Sequence, residues 1–139
     1  MKQERRGDAI FEIRTTLTFS DGDRGFGPNK ISILEAIDNH ASLSAASKAT
    51  GISYNHVWMM IGQMNRDFRE PVVLTRMGRR GGASLTPMGK RVLTQFRAME
   101  KKIAAAAARH LTAFATMISE AGNSTPKSRV RRTNPAVKK

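Results

Sequence analysis

Two short stretches with helical spacing, separated by three residues around a glycine, constrain this chain more than any other feature. Ser42 offers a side-chain oxygen to the free N–H groups that begin a helix over Leu43–Thr50, and Gly51 suits the left-handed conformation that ends one. Ser53 caps the next helix, Tyr54 to about Phe68, which Pro71 stops because the residue before a proline is driven out of the helical region. Ala46 and Ser47 are small where the helices must approach, and Ile52, Val57 and Met60 supply apolar plugs between them. Such a pair is a helix-turn-helix.

The flanking segments extend the motif. From Ile10 to Phe19 the residues alternate, with Phe11, Ile13, Thr15, Leu17 and Phe19 on one side, which predicts a half-buried strand. Ser20 to Gly27 is turn chemistry, and Pro28 opens a helix over about 28–39 whose apolar face is Ile31, Ile33, Leu34 and Ile37. After Pro71, residues 72–76 and 83–86 read as two strands joined by the glycine-rich run 77–82, a β-hairpin with a basic tip.

Thr86 then caps and Pro87 opens a long helix, about 87–120, ended by Gly122-Asn123. Val92, Phe96, Met99, Ile103 and Ala106 make a stripe on it, and Ala107, Leu111, Phe114 and Ile118 continue the spacing one residue out of phase. A stripe this long exceeds what a small core covers, so a second copy is expected on it, with Phe96, Ile103, Leu111, Phe114 and Ile118 as the dimerisation residues. The fold class predicted is mainly α with a small β-hairpin, a winged helix-turn-helix with a long C-terminal dimerisation helix. Residues 1–121 are expected to form that domain and 122–139 a disordered basic tail.

Charge narrows the partner. Of 139 residues 24 are Lys or Arg and 11 Asp or Glu, a net charge of +13. Residues 1–70 balance, nine basic against nine acidic, while residues 71–139 hold fifteen basic ones against Glu100 and Glu120 alone. One-sided basic charge favours a polyanion, since each phosphate neutralised releases condensed counterions. Membrane surfaces are polyanionic too, so charge alone does not choose. No apolar run approaches the roughly 20 residues of a membrane span and the N-terminus lacks an apolar signal core, so a soluble, cytoplasmic protein is expected.

In a helix-turn-helix the start of the second helix meets base edges in the major groove. Here those residues are Ser53, Tyr54, Asn55 and His56, with Trp58 one step further on. Asparagine can read adenine through two hydrogen bonds, and Ser, Tyr and His can donate to phosphates or bases. Tyr54 and Trp58 either join that surface or pack inside the pair, and Ser53 is a cap first. In the hairpin, Arg76, Arg79 and Arg80 form a wing that can track the backbone or enter a narrow minor groove. The bland alternative is a solvated turn. The basic residues of the tail would add sequence-independent affinity.

Other chemistries find little footing. The chain has no Cys, which removes disulfides, thiolate zinc and cysteine nucleophiles. His40, His56 and His110 lack metal-ligand spacing, the glycines Gly22, Gly25 and Gly27 are not followed by a phosphate-loop lysine, and no Gly-x-Ser-x-Gly elbow occurs. No enzyme, metal or cofactor is expected. Met59, Met60, Met64, Met88, Met99 and Met117 fall on or near helical apolar positions and read as core and interface filler.

The run Ile33-Leu34-Glu35-Ala36-Ile37-Asp38, then Ser42 to Ala49, Gly51-Ile52-Ser53-Tyr54, Met64-Asn65 and Gly81 to Gly89, resembles the N-terminal DNA-binding domain of the ModE family of molybdate-responsive regulators. More distantly it is similar to the winged helix of LysR-type regulators. The resemblance covers about residues 10–110. It implies a dimer, formed through strand and long-helix contacts, that binds operator DNA; molybdate in that family is held by separate C-terminal molbindin domains. Asn55 and His56 stand where the family often has basic residues, so the operator need not be shared. The function expected is a homodimeric, sequence-specific transcriptional regulator, written as a repressor, with its recognition helices about 34 Å apart on a palindrome. Two alternatives stand beside it: a sequence-tolerant nucleoid or RNA-binding architectural protein, and a sensor of molybdate or another oxyanion.

Overall fold

A computed structural model describes residues 11–22, 24–76 and 82–118. The chain divides into two compact units. The larger, residues 14–102, begins with a small hairpin of β1 (Leu17–Thr18) and β2 (Gly25–Phe26), followed by helices α1 (Pro28–His40), α2 (Leu43–Thr50) and α3 (Tyr54–Asp67). A second hairpin, β3 (Val73–Thr75) and β4 (Ala83–Leu85), leads into α4 (Pro87–Met117). Mainly helical with small antiparallel hairpins, this is a winged helix-turn-helix that continues into a long C-terminal helix.

The expected strand over residues 10–19 contracts to Leu17–Thr18. Among the described residues the strand paired with this segment is β2, which is two residues long and lies opposite Leu17 and Thr18, and Pro28 starts α1 soon afterwards. Ile13 and Leu17 are accordingly exposed rather than half-buried. The turn itself is well made, with the Phe19 N–H donating to Arg24 O at 2.9 Å.

The core of the larger unit is a continuous apolar cluster contributed by every helix. Ile31, Ile33, Leu34 and Ile37 of α1 meet Ala46 of α2, Val57, Ile61 and Met64 of α3, and Val72 and Val73. Phe26 stands edge-on to Phe68 and Phe96, with ring centroids 5.2 and 5.4 Å apart. Phe96, expected on the dimerisation stripe, is therefore a core residue of this unit, while Val92 and Met99 pack partly buried against the same cluster. Gly89, in the first turn of α4, has no room for a side chain, since a Cβ there would lie 2.1 Å from Val72 O.

In the smaller unit, described over residues 11–13 and 103–118, the second half of α4 presents a different face. Phe11 stacks edge-on against Phe114 at 6.2 Å, Ile103, Leu111 and Ile118 are half-buried, and Phe114 and Met117 are exposed. The basic segment from residue 122 onward lies outside the described residues.

Candidate nucleic-acid interface

The turn between α2 and α3 is locked by its own side chains. Gly51 takes φ +77°, where a Cβ would be strained, and its N–H donates to Ser47 O at 2.9 Å. The Ser47 hydroxyl donates to Ile52 O at 2.6 Å, the Thr50 hydroxyl donates to Ala46 O at 2.8 Å, and the Ile52 N–H donates back to Thr50 Oγ1. The Gly51 bond gives Ser47 O a partner past the helix end, and the hydroxyl bonds tie Ser47 and Thr50 to Ile52, which fixes the angle at which α3 leaves the turn. Both expected caps form: Ser42 Oγ accepts from Ala45 N at 2.9 Å and Ser53 Oγ from His56 N at 3.2 Å.

Held this way, α3 buries Val57, Met60, Ile61 and Met64 and leaves Tyr54, Asn55, His56 and Trp58 exposed. Tyr54 and Trp58 are 46% and 42% exposed, so they join the open surface instead of packing inside the pair. Ser53 is exposed as well, with its hydroxyl engaged as the cap. The reading of the methionines as filler holds for Met60 and Met64 but not for Met59, which is 53% exposed on the same helix. Residues 59 and 60 are adjacent, and a 100° step decides which one faces water.

The far end of α3 is tied to the second hairpin by one side chain. Asn65 Oδ1 accepts from Val72 N at 2.8 Å and Val73 N at 3.1 Å, while its Nδ2 donates to Val73 O at 3.1 Å. Val72 and Arg76 pair across to Thr86 and Gly82, so by strand alternation the N–H and C=O of Val73 face away from β4. Asn65 takes the place of a third strand there, and no local pattern in the sequence announces it beyond an Asn in the last turn of a helix before Pro71.

The hairpin has a second anchor at the corner between α1 and α2, where Ala83 N donates to Ala41 O at 3.1 Å. Arg76 leaves β3 exposed to solvent, its N–H donating to Gly82 O at 2.8 Å; Arg79 and Arg80 lie outside the described residues.

Ion pairs brace this frame from behind. Arg24 bridges Asp21 and Asp67 at 2.8 and 2.7 Å, and its hydrogen bonds to the two carboxylates raise the guanidinium pKa. Arg97 of α4 reaches Glu35 of α1 and Glu100; burial alone would lower its pKa, but those two hydrogen bonds outweigh it and raise it. Both arginines are thus charged and engaged, leaving other cations for a polyanion. Among the described residues no group of three or more His, Asp or Glu is placed to hold a metal ion, and no helix is long and apolar enough to cross a membrane.

Comparison with known proteins agrees with this geometry. Residues 28–90, from the start of α1 to the first turn of α4, match the family described as bacterial regulatory helix-turn-helix protein, lysR family. The molybdenum transport protein ModE of Azotobacter vinelandii is 35% identical over 83 residues, which is 58% of this chain and 31% of ModE. The molybdenum-pterin-binding proteins MopB and MopA of Rhodobacter capsulatus are 35% identical over 80 residues and 33% over 76, covering 56% and 53% of this chain and 30% and 29% of their own lengths. The chain thus spans under a third of the length of these curated relatives. Residues 28–90 are thus similar to the bacterial regulatory helix-turn-helix of the lysR family and to the matched stretches of ModE, MopB and MopA.

Proposed function

We propose that this chain is a DNA-binding transcriptional regulator that reads duplex DNA with the start of α3. The observation that carries the reading is the open surface of Tyr54, Asn55, His56 and Trp58, presented by a turn that its own side chains hold rigid. A reading surface must be preorganised, because any freedom it has must be lost on binding. Asn55 supplies the two-bonded group suited to adenine, and His56 a donor for a base or phosphate. Arg76, together with the sequence neighbours Arg79 and Arg80, contacts the backbone or the minor groove, and the basic residues after Gly122 add affinity without sequence. Repression is the simplest mode, since occupancy of an operator suffices for it.

The chain acts as a homodimer, with a second copy covering the second half of α4. Support comes from Phe114 and Met117, 54% and 71% exposed on a helix that also carries Ile103, Leu111 and Ile118. Two recognition helices then meet major grooves about 34 Å apart on a palindrome. The relatives' names mention molybdenum transport and molybdenum-pterin binding.

Selection of duplexes from a random pool at about 150 mM salt tests the reading, because salt suppresses the nonspecific phosphate term. An enriched palindrome is expected. Uniform retention of all sequences would favour an architectural protein instead.

A further inference from the structure

The exposed side of α3 carries more than the residues at its start. Asn55, Met59, Gly62 and Arg66 follow at steps of four, three and four, on the face opposite the buried Val57, Met60, Ile61 and Met64. Two features of that ridge have no packing role among the described residues. Met59 holds a large apolar side chain in water at its centre, flanked by Trp58. One turn on stands a glycine, a poor residue for a helix interior. Gly62 is not required by packing: a Cβ there would meet only the Arg66 guanidinium, at an ordinary 3.5 Å. Gly89 has an internal reason to be glycine, and Gly62 has none.

We infer that Met59 reads the C5-methyl group of thymine in the major groove and that Gly62 is where the groove edge comes closest to the helix. The inference rests on the DNA-reading role of α3 proposed above. Thymine alone among the bases presents a methyl group in that groove, and apolar side chains are its recognition partners. The thioether of methionine is flexible and polarisable, fitted to a small apolar target whose position shifts with DNA shape. A single exposed methionine needs no special cause. Here it lies between Asn55, a group suited to adenine, and a glycine that clears space, on one line along the helix. The same ridge ends in Arg66, whose charge suits a phosphate at the groove wall.

The test starts from the duplex that the wild-type chain enriches. Each thymine is replaced in turn by deoxyuridine, which removes only the methyl group, and affinities are measured by fluorescence anisotropy for wild type, Met59→Ala and Gly62→Ala. For wild type, at least one position per half-site is expected to lose about fourfold in affinity, the value of burying one methyl. Met59→Ala is expected to bind the thymine duplex more weakly and to be indifferent to the replacement at that position. Gly62→Ala is expected to melt at a higher temperature than wild type, since alanine is the better helix former, and yet to lose several-fold in affinity.

An enriched duplex with no methyl-dependent position, or full methyl dependence retained by Met59→Ala, overturns the inference and leaves the DNA reading intact. Wild-type affinity in Gly62→Ala overturns the close approach. Failure of the wild-type chain to enrich any duplex sinks the DNA reading itself, and the ridge with it.

Discussion

Replacing Asn65 with alanine probes the joint between the reading helix and the wing. The side chain makes three hydrogen bonds to Val72 and Val73, whose residues are 0% and 2% exposed, so water cannot readily take its place. At about 1 kcal/mol net for each bond, the loss is about 3 kcal/mol. Alanine returns about 0.6 kcal/mol through its helix propensity, leaving a net cost of about 2–3 kcal/mol. For a unit of this size that is a fall in Tm of about 10–20 °C. Asn65→Asp keeps the acceptor for both N–H groups but turns a carboxylate oxygen toward Val73 O, and is expected to fall between wild type and Asn65→Ala. Urea unfolding followed by circular dichroism at fixed pH measures all three. An Asn65→Ala midpoint within about 0.5 kcal/mol of wild type, or Asn65→Asp less stable than Asn65→Ala, would refute the assignment of Asn65 as a surrogate strand.

Four further substitutions have expected outcomes. Gly89→Ala sets a Cβ against Val72 O and should destabilise by about 1–3 kcal/mol in thermal melts despite alanine's helix propensity; unchanged stability would mean that the helix start moves freely. Ala41 is held at φ +58°, and Ala41→Gly should relieve that strain and stabilise by about 0.5–1 kcal/mol in the same assay. Phe114→Glu places a charge on the exposed face of α4 and should shift sedimentation from dimer to monomer; an unchanged dimer would place the interface elsewhere. Arg76→Ala should weaken all duplexes alike and make the dependence of log affinity on log salt shallower by about 1. An unaltered salt slope would remove Arg76 from the interface.

The legible parts of this fold were those with local chemical punctuation. Ser42, Gly51 and Ser53 mark α2, the turn and the start of α3 because capping is decided within three or four residues, and each forms as expected. Pro28 and Pro87 likewise mark the starts of α1 and α4. Alternation over residues 10–19 predicts one strand and is silent about the strand it pairs with; among the described residues β2 pairs with Leu17 and Thr18. The stripe on α4 could not be divided from spacing alone. Phe96 faces the chain's own core and Phe114 faces solvent, and the difference lies in where Phe26 and Phe68 arrive from distant sequence. Asn65 escaped for the same reason, since its partners lie seven and eight residues on, in a strand that pairs with β4. The exposure of Tyr54 and Trp58 was open in the sequence because aromatic residues serve equally at a core and at a contact surface.

The most direct measurement is the affinity of the wild-type chain and of Asn55→Ala for an enriched duplex and for its scrambled counterpart, both at about 150 mM salt. Wild type is expected to prefer the enriched duplex by at least about a thousandfold, and Asn55→Ala to shrink that ratio by about 5- to 100-fold while binding the scrambled duplex as before. Equal affinity of wild type for the two duplexes, or a ratio untouched by Asn55→Ala, would contradict the reading of DNA sequence by the exposed start of α3.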